Sequence, residues 1–106
     1  MDAELRDKWV AALRSGKYKQ GQINLRSSDD RFCCLGVLAD VINPENWSQL
    51  DGPAVWGDDG FSSVYTLRQS IIADDACFPL VEMNDAEGKS FNEIADYISA
   101  QNPEDL

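Results

Sequence analysis

Histidine is absent from the 106 residues. With it go the Ser-His-Asp and Cys-His nucleophiles, the imidazole general base and the histidine metal ligand. What remains for chemistry is a set of thiols, several carboxylate pairs and one Gly-Lys-Ser step. Cys33, Cys34 and Cys77 are the soft metal ligands, but adjacent residues on a helix diverge by about 100° and no C-x-x-C pair exists, so they read as reduced core thiols. Gly88-Lys89-Ser90 has the ending of a phosphate loop. The first glycine of G-x-x-x-x-G-K-[ST] would stand at position 83, which is Met83, so the step reads instead as the start of a helix. The pairs Asp58-Asp59, Asp74-Asp75 and Asp85-x-Glu87 have the groups for acid-base work or calcium. None follows the EF-hand register, and such pairs are commonly solvated turns. The expectation is a non-enzyme with no metal and no cofactor.

Charge is the stronger signal. The net charge is −10, and its layout is uneven: residues 1–40 hold seven Lys or Arg against six Asp or Glu, and residues 41–106 hold two against thirteen. Arg14, Lys17, Lys19, Arg26 and Arg31 fall in one eighteen-residue window. The pattern predicts a bipolar surface and a charged partner.

These residues need elements to hold them. The longest apolar run, Phe32 to Ile42, is broken only by Asp40 and stops at Asn43-Pro44. Its length, with Asp29 or Asp30 as N-cap and proline as terminator, predicts a central buried helix over residues 31–42. A first helix starts at Asp2, carries Leu5, Trp9, Ala12 and Leu13 on one face, and ends on Gly16 in the left-handed conformation. Tyr18, Ile23 and Leu25 among polar residues predict one or two short strands and a turn over 17–26. Trp47, Leu50, Val55, Trp56 and Phe61 in a Gly- and Asp-rich stretch predict a hairpin or an ordered loop packed by its aromatics, a candidate contact loop. Val64, Leu67, Ile71 and Ile72 predict a helix over 63–73 closed by Asp74-Asp75, though 61–66 suit a strand equally. Residues 77–83 are open between helix and edge strand. Ser90 and Glu93 form a capping box for a last helix over 90–101 with Phe91, Ile94, Ala95 and Ile98 inward. The fold class is α+β, a single domain over 1–106 with about four helices and a small antiparallel sheet.

The blocks WVAALRSGKYKQ, FCCLGVL and MNDAEGKSFNEIADYI resemble a family of small proteins encoded by tailed phages and prophages. The resemblance covers about a third of the chain. It implies an accessory protein in a bacterial cytoplasm, and it brings no catalytic residue with it. No apolar window is long enough for a membrane span.

Two functions follow. In the first, the acidic part, with Asp58, Asp59, Asp74, Asp75, Asp85 and Glu87, binds and inhibits a host defence protein by mimicking nucleic-acid phosphates. In the second, Arg14, Lys17, Tyr18, Lys19, Gln20, Arg26 and Arg31 hold a small phosphorylated or nucleotide ligand, with guanidinium forks on phosphate and Tyr18 stacked on a base. An acidic chain argues against direct contact with nucleic acid.

Overall fold

The computed structural model describes residues 1–48, 54–56 and 72–106. Its first helix, α1 (Ala3–Arg14), begins where Asp2 accepts the amide hydrogen of Leu5 at 3.1 Å and ends before Gly16 at φ +76°. Both ends are as expected. Trp9 and Leu13 are buried, and the Trp9 indole Nε1 donates to the Cys34 carbonyl at 2.9 Å, which fixes α1 on the central helix.

That central helix, α2 (Cys34–Ile42), is shorter at its start than expected. Asp29 and Asp30 do not cap it. They close a turn in which Ser27 Oγ donates to Asp29 and accepts from the Arg31 amide. Arg31 and Phe32 leave that turn as a strand, and Cys33 is the N-cap, its Sγ accepting from Gly36 at 3.4 Å. Leu35, Val37, Leu38 and Ala39 are fully buried. Each leucine removes enough apolar surface from water to contribute roughly 1.5–3 kcal/mol, the main source of stability here. Gly36 is dictated by packing: a Cβ there would lie 2.6 Å from the Leu25 carbonyl carbon.

The strands are short, and one pairing differs from the antiparallel sheet expected. β1 (Lys19–Gln20) pairs with β2 (Arg31–Phe32) in parallel, Lys19 beside Arg31 and Gln20 beside Phe32. β3 (Trp47–Ser48) pairs with β4 (Val55–Trp56) antiparallel, placing Trp47 opposite Trp56. Arg26 bridges to Phe32 and to Ala54, linking the two ladders. The aromatics of this hairpin point inward: Trp56 Nε1 donates to the Asn43 carbonyl and Trp47 Nε1 to Asp40, each at 3.0 Å.

Asp74 and Asp75, expected to close a helix, open one. α3 (Asp74–Val81) contains Pro79 and runs into a π-helical turn, Glu82–Ala86. Residues 77–83 are therefore helical. The helix expected over 63–73 falls mostly outside the described residues. Its end, Ile72, is buried. The last helix, α4 (Phe91–Ala100), has the complete capping box of Ser90 and Glu93 and buries Phe91, Ile94, Ala95 and Ile98 against α1. Arg14 and Asp96 tie the same two helices at 2.7 Å. The class is α+β, with one core between α1, α2, α3 and α4. Among the described residues no helix is long and apolar enough to cross a membrane.

Candidate functional site

The π-helical turn organises the polar part of the molecule. A turn of this kind carries one more residue than an α-helical turn and re-aims the side chains that follow it. Asn84 lies inward within it, 1% exposed. All four hydrogen-bonding capacities of its amide are used. Oδ1 accepts from Gln20 Nε2 at 2.9 Å and from the Cys34 amide at 3.3 Å. Nδ2 donates to the Gly21 carbonyl and to Asp85 Oδ1, each at 2.8 Å. One side chain thus joins β1, the N-terminus of α2 and the turn, and its burial costs little because every group is satisfied.

Asp85 holds a second constraint. Its Oδ1 also accepts the Ile23 amide hydrogen at 3.0 Å, and Ile23 stands at φ +75° with 82% of its surface exposed. Ile23 is therefore not the strand position expected of it. A β-branched residue in the left-handed region costs roughly 1–2 kcal/mol, so the clamp from Asp85 holds a conformation the residue would not choose alone. Ile23, Val81, Leu35, Cys34 and the Asn84-Asp85 pair line a cavity of about 130 Å³, smaller than drug-sized ligands fill.

Of the acidic residues expected to meet a partner, Asp75 and Glu87 are exposed and Asp85 is half-buried. Glu82 is exposed between them. These four lie on one continuous segment, α3, its π-helical turn and the residue that caps it, and make no ion pair among the described residues. Asp58 and Asp59 lie outside the described residues, and of Asp74 only the backbone, at the start of α3, is described.

The basic window is used differently. Arg26 pairs with Asp30 at 2.8 Å and lies over the rings of Phe32 and Trp47. Arg31 pairs with Asp29 at 3.0 Å, and Arg14 with Asp96. Tyr18 meets the edge of Phe32 at 5.0 Å between centroids and donates its hydroxyl to Asp40 at 2.5 Å. Burial first, and then the Asp40 bond and charge, push the phenol up to about 12. Lys17 lies over the Tyr18 ring at 5.5 Å, and Lys19 is exposed. Gln20 donates to Asn84 and to the Lys89 carbonyl. Arg14, Tyr18 and Gln20 border one recess of about 230 Å³, while Gln20 and Arg31 border another of about 440 Å³. Among the described residues the window is divided between these recesses.

Neither the Cys33 and Cys34 thiols nor the Gly-Lys-Ser step shows reactive geometry. Burial pushes the Cys33 thiol up to about 11 and Cys34 well above its ordinary value, so neither is a thiolate at neutral pH. Lys89 reaches Glu93 at 3.8 Å and Ser90 caps α4. Among the described residues no group of three or more Cys, Asp or Glu has the arrangement to hold a metal.

Asn84 was missed from the sequence, yet a signal existed. Ala76, Leu80 and Asn84 stand at i, i+4 and i+8, so an amide ends an apolar helical stripe. That placement demands buried partners.

The domain of unknown function DUF8296 matches residues 1–65. The chain belongs to this family. No curated protein and no solved structure matches it. In this DUF8296 chain the match contains Gln20, Gly21, Ile23 and Cys34, while Asn84 and Asp85, which bond to them, lie beyond it.

Proposed function

We propose that this DUF8296 protein is a phage or prophage accessory protein that acts without catalysis in the bacterial cytoplasm. It binds and inhibits a host defence protein by placing carboxylates where that protein holds nucleic-acid phosphates. One observation carries the reading. Each described arginine, together with Lys8 and Lys89, is ion-paired within the chain, whereas Asp75, Glu82, Asp85 and Glu87 meet no cation among the described residues. Cations neutralised at home leave the outward field negative, and a net charge of −10 speeds association with a basic groove and repels nucleic acid itself.

The rival function, a small anionic ligand held by the basic window, has less support. Arg14, Arg26 and Arg31 already have carboxylates, and Tyr18 is engaged at both its ring and its hydroxyl. The test is competition. Tagged protein retrieves its partner from a bacterial lysate, and labelled nucleic acid is titrated onto the purified complex. Mutually exclusive binding is the expected result. Simultaneous binding of both would overturn the mimicry.

A further inference from the structure

Among the described residues, the large apolar side chains left exposed are Ile23, at 82%, and Phe78, at 73%. They belong to one surface. Val81 follows Phe78 by one helical turn on α3, and Val81 and Ile23 line the same cavity; residues three apart on a helix are neighbours on its surface. Among the described residues no packing or hydrogen-bonding role of either side chain accounts for its exposure. Phe78 could be polar without loss to the core, which Ala76, Cys77 and Leu80 supply from the other side of α3. Ile23 sits in a strained conformation that glycine or asparagine would adopt freely, fixed there by Asp85. Carboxylates ring the surface: Asp75 three residues before Phe78, Glu82 four after it, and Asp85 beneath Ile23.

We propose that Ile23, Phe78 and Val81 form the apolar centre of a docking face, and that its occupant is a basic protein segment whose apolar side chains are flanked by Lys or Arg. The inference rests on the proposed function and gives it a location. An apolar anchor with a charged rim is the usual anatomy of a protein interface, in which a few central aromatic or aliphatic groups carry most of the affinity. Charge selects among the possible occupants. A second copy would bring its own Asp75, Glu82 and Asp85 against the same residues in a two-fold contact, and an anionic membrane would be repelled. A basic segment matches both the rim and the centre.

The probes are three peptides of equal length: an amphipathic leucine-lysine helix, its leucine-glutamine counterpart, and an all-lysine peptide. Binding is read by fluorescence anisotropy, with amide shifts mapping the contact. The leucine-lysine peptide binds best, shifts Ile23, Phe78 and Val81, and binds about tenfold more weakly to Phe78→Ala and to Ile23→Gly. Both variants remain folded by circular dichroism, since neither side chain belongs to the core. If those variants bind normally and only Asp75→Lys with Glu82→Lys weakens binding, the acidic reading survives and the apolar anchor is wrong. Equal binding of the leucine-glutamine peptide would overturn the basic occupant. Absence of binding by all three would overturn the docking face, leaving the parent reading to the competition experiment. A concentration-dependent dimer dissociated by Phe78→Asp would assign the face to self-association and overturn the proposal.

Discussion

Gly36→Ala sets two physical effects against each other with opposite signs. On helix propensity alone, alanine in the interior of α2 should stabilise the protein by about 1 kcal/mol. Packing opposes this. The added Cβ would lie 2.6 Å from the Leu25 carbonyl carbon and 3.1 Å from its Cα, and both contacts are backbone, which cannot rotate away. The Leu25 carbonyl oxygen is nearer still, and ordinary contact begins near 3.4 Å, so α2 and the Leu25 segment must separate by more than an ångström. Overpacking of this kind costs typically 1–3 kcal/mol, at the upper end where backbone must move. The same displacement strains the Cys33 amide bond to the Leu25 carbonyl, 3.2 Å long, worth about another 1 kcal/mol. Set against the propensity gain, the net expectation is a loss of about 3 kcal/mol. For a domain of this size that lowers Tm by more than about 10 °C. Urea and thermal unfolding monitored by circular dichroism measure it. A variant as stable as wild type, or more stable, would refute the close approach of α2 to Leu25 and with it the placement of the Ile23 loop.

Three further outcomes follow from the polar contacts. Asn84→Ala leaves the Gly21 carbonyl and the Cys34 amide without their partner and should cost on the order of 2–4 kcal/mol; Asn84→Asp, which cannot donate to the carbonyl, should not restore it in chemical denaturation. Ser90→Ala should lose about 1 kcal/mol and leave partner binding intact, and loss of binding at unchanged stability would revive a phosphate-binding role for Gly88-Lys89-Ser90. One tyrosine should titrate near pH 12 in ultraviolet absorbance and vanish from the curve in Tyr18→Phe. The fold favours the protonated phenol, so this stabilisation is complete below about pH 10 and is lost as pH rises towards 12. A normal tyrosine midpoint for all residues would contradict the Tyr18–Asp40 bond.

The ends of the chain were legible because their signals are local. Asp2 and the Ser90-Glu93 box act through bonds to residues three positions away, and Gly16 through its own left-handed backbone, and the structure uses each as read. The start of α2 was misread because Asp29 and Asp30 are good caps in isolation. Their place was decided by a tertiary fact, the pairing of Phe32 with Gln20 across eleven intervening residues, which leaves capping to a cysteine, a weak signal. α3 was ambiguous because Pro79 argues against a strand without arguing for a helix. The location of the candidate face was hidden for a related reason. Ile23 lies in a polar stretch where an apolar residue normally marks a strand, and its strained exposure depends on Asp85, sixty-two residues on. The sign of the surface was readable from composition, but which cations are neutralised internally was not, since Arg14 finds Asp96 only after α1 packs on α4.

The central claim, that carboxylates on α3 and its π-helical turn meet a basic protein partner, is tested most directly by calorimetric titration of that partner at increasing salt. The variants compared are Asp75→Lys, Glu82→Lys and Glu87→Lys combined, and Lys17→Gln with Lys19→Gln. Wild-type affinity should fall steeply with salt as the Debye length shrinks below about 10 Å, the triple reversal should slow association and abolish measurable binding, and the glutamine pair should bind at least as tightly as wild type. Salt-independent binding that survives the triple reversal would contradict the account.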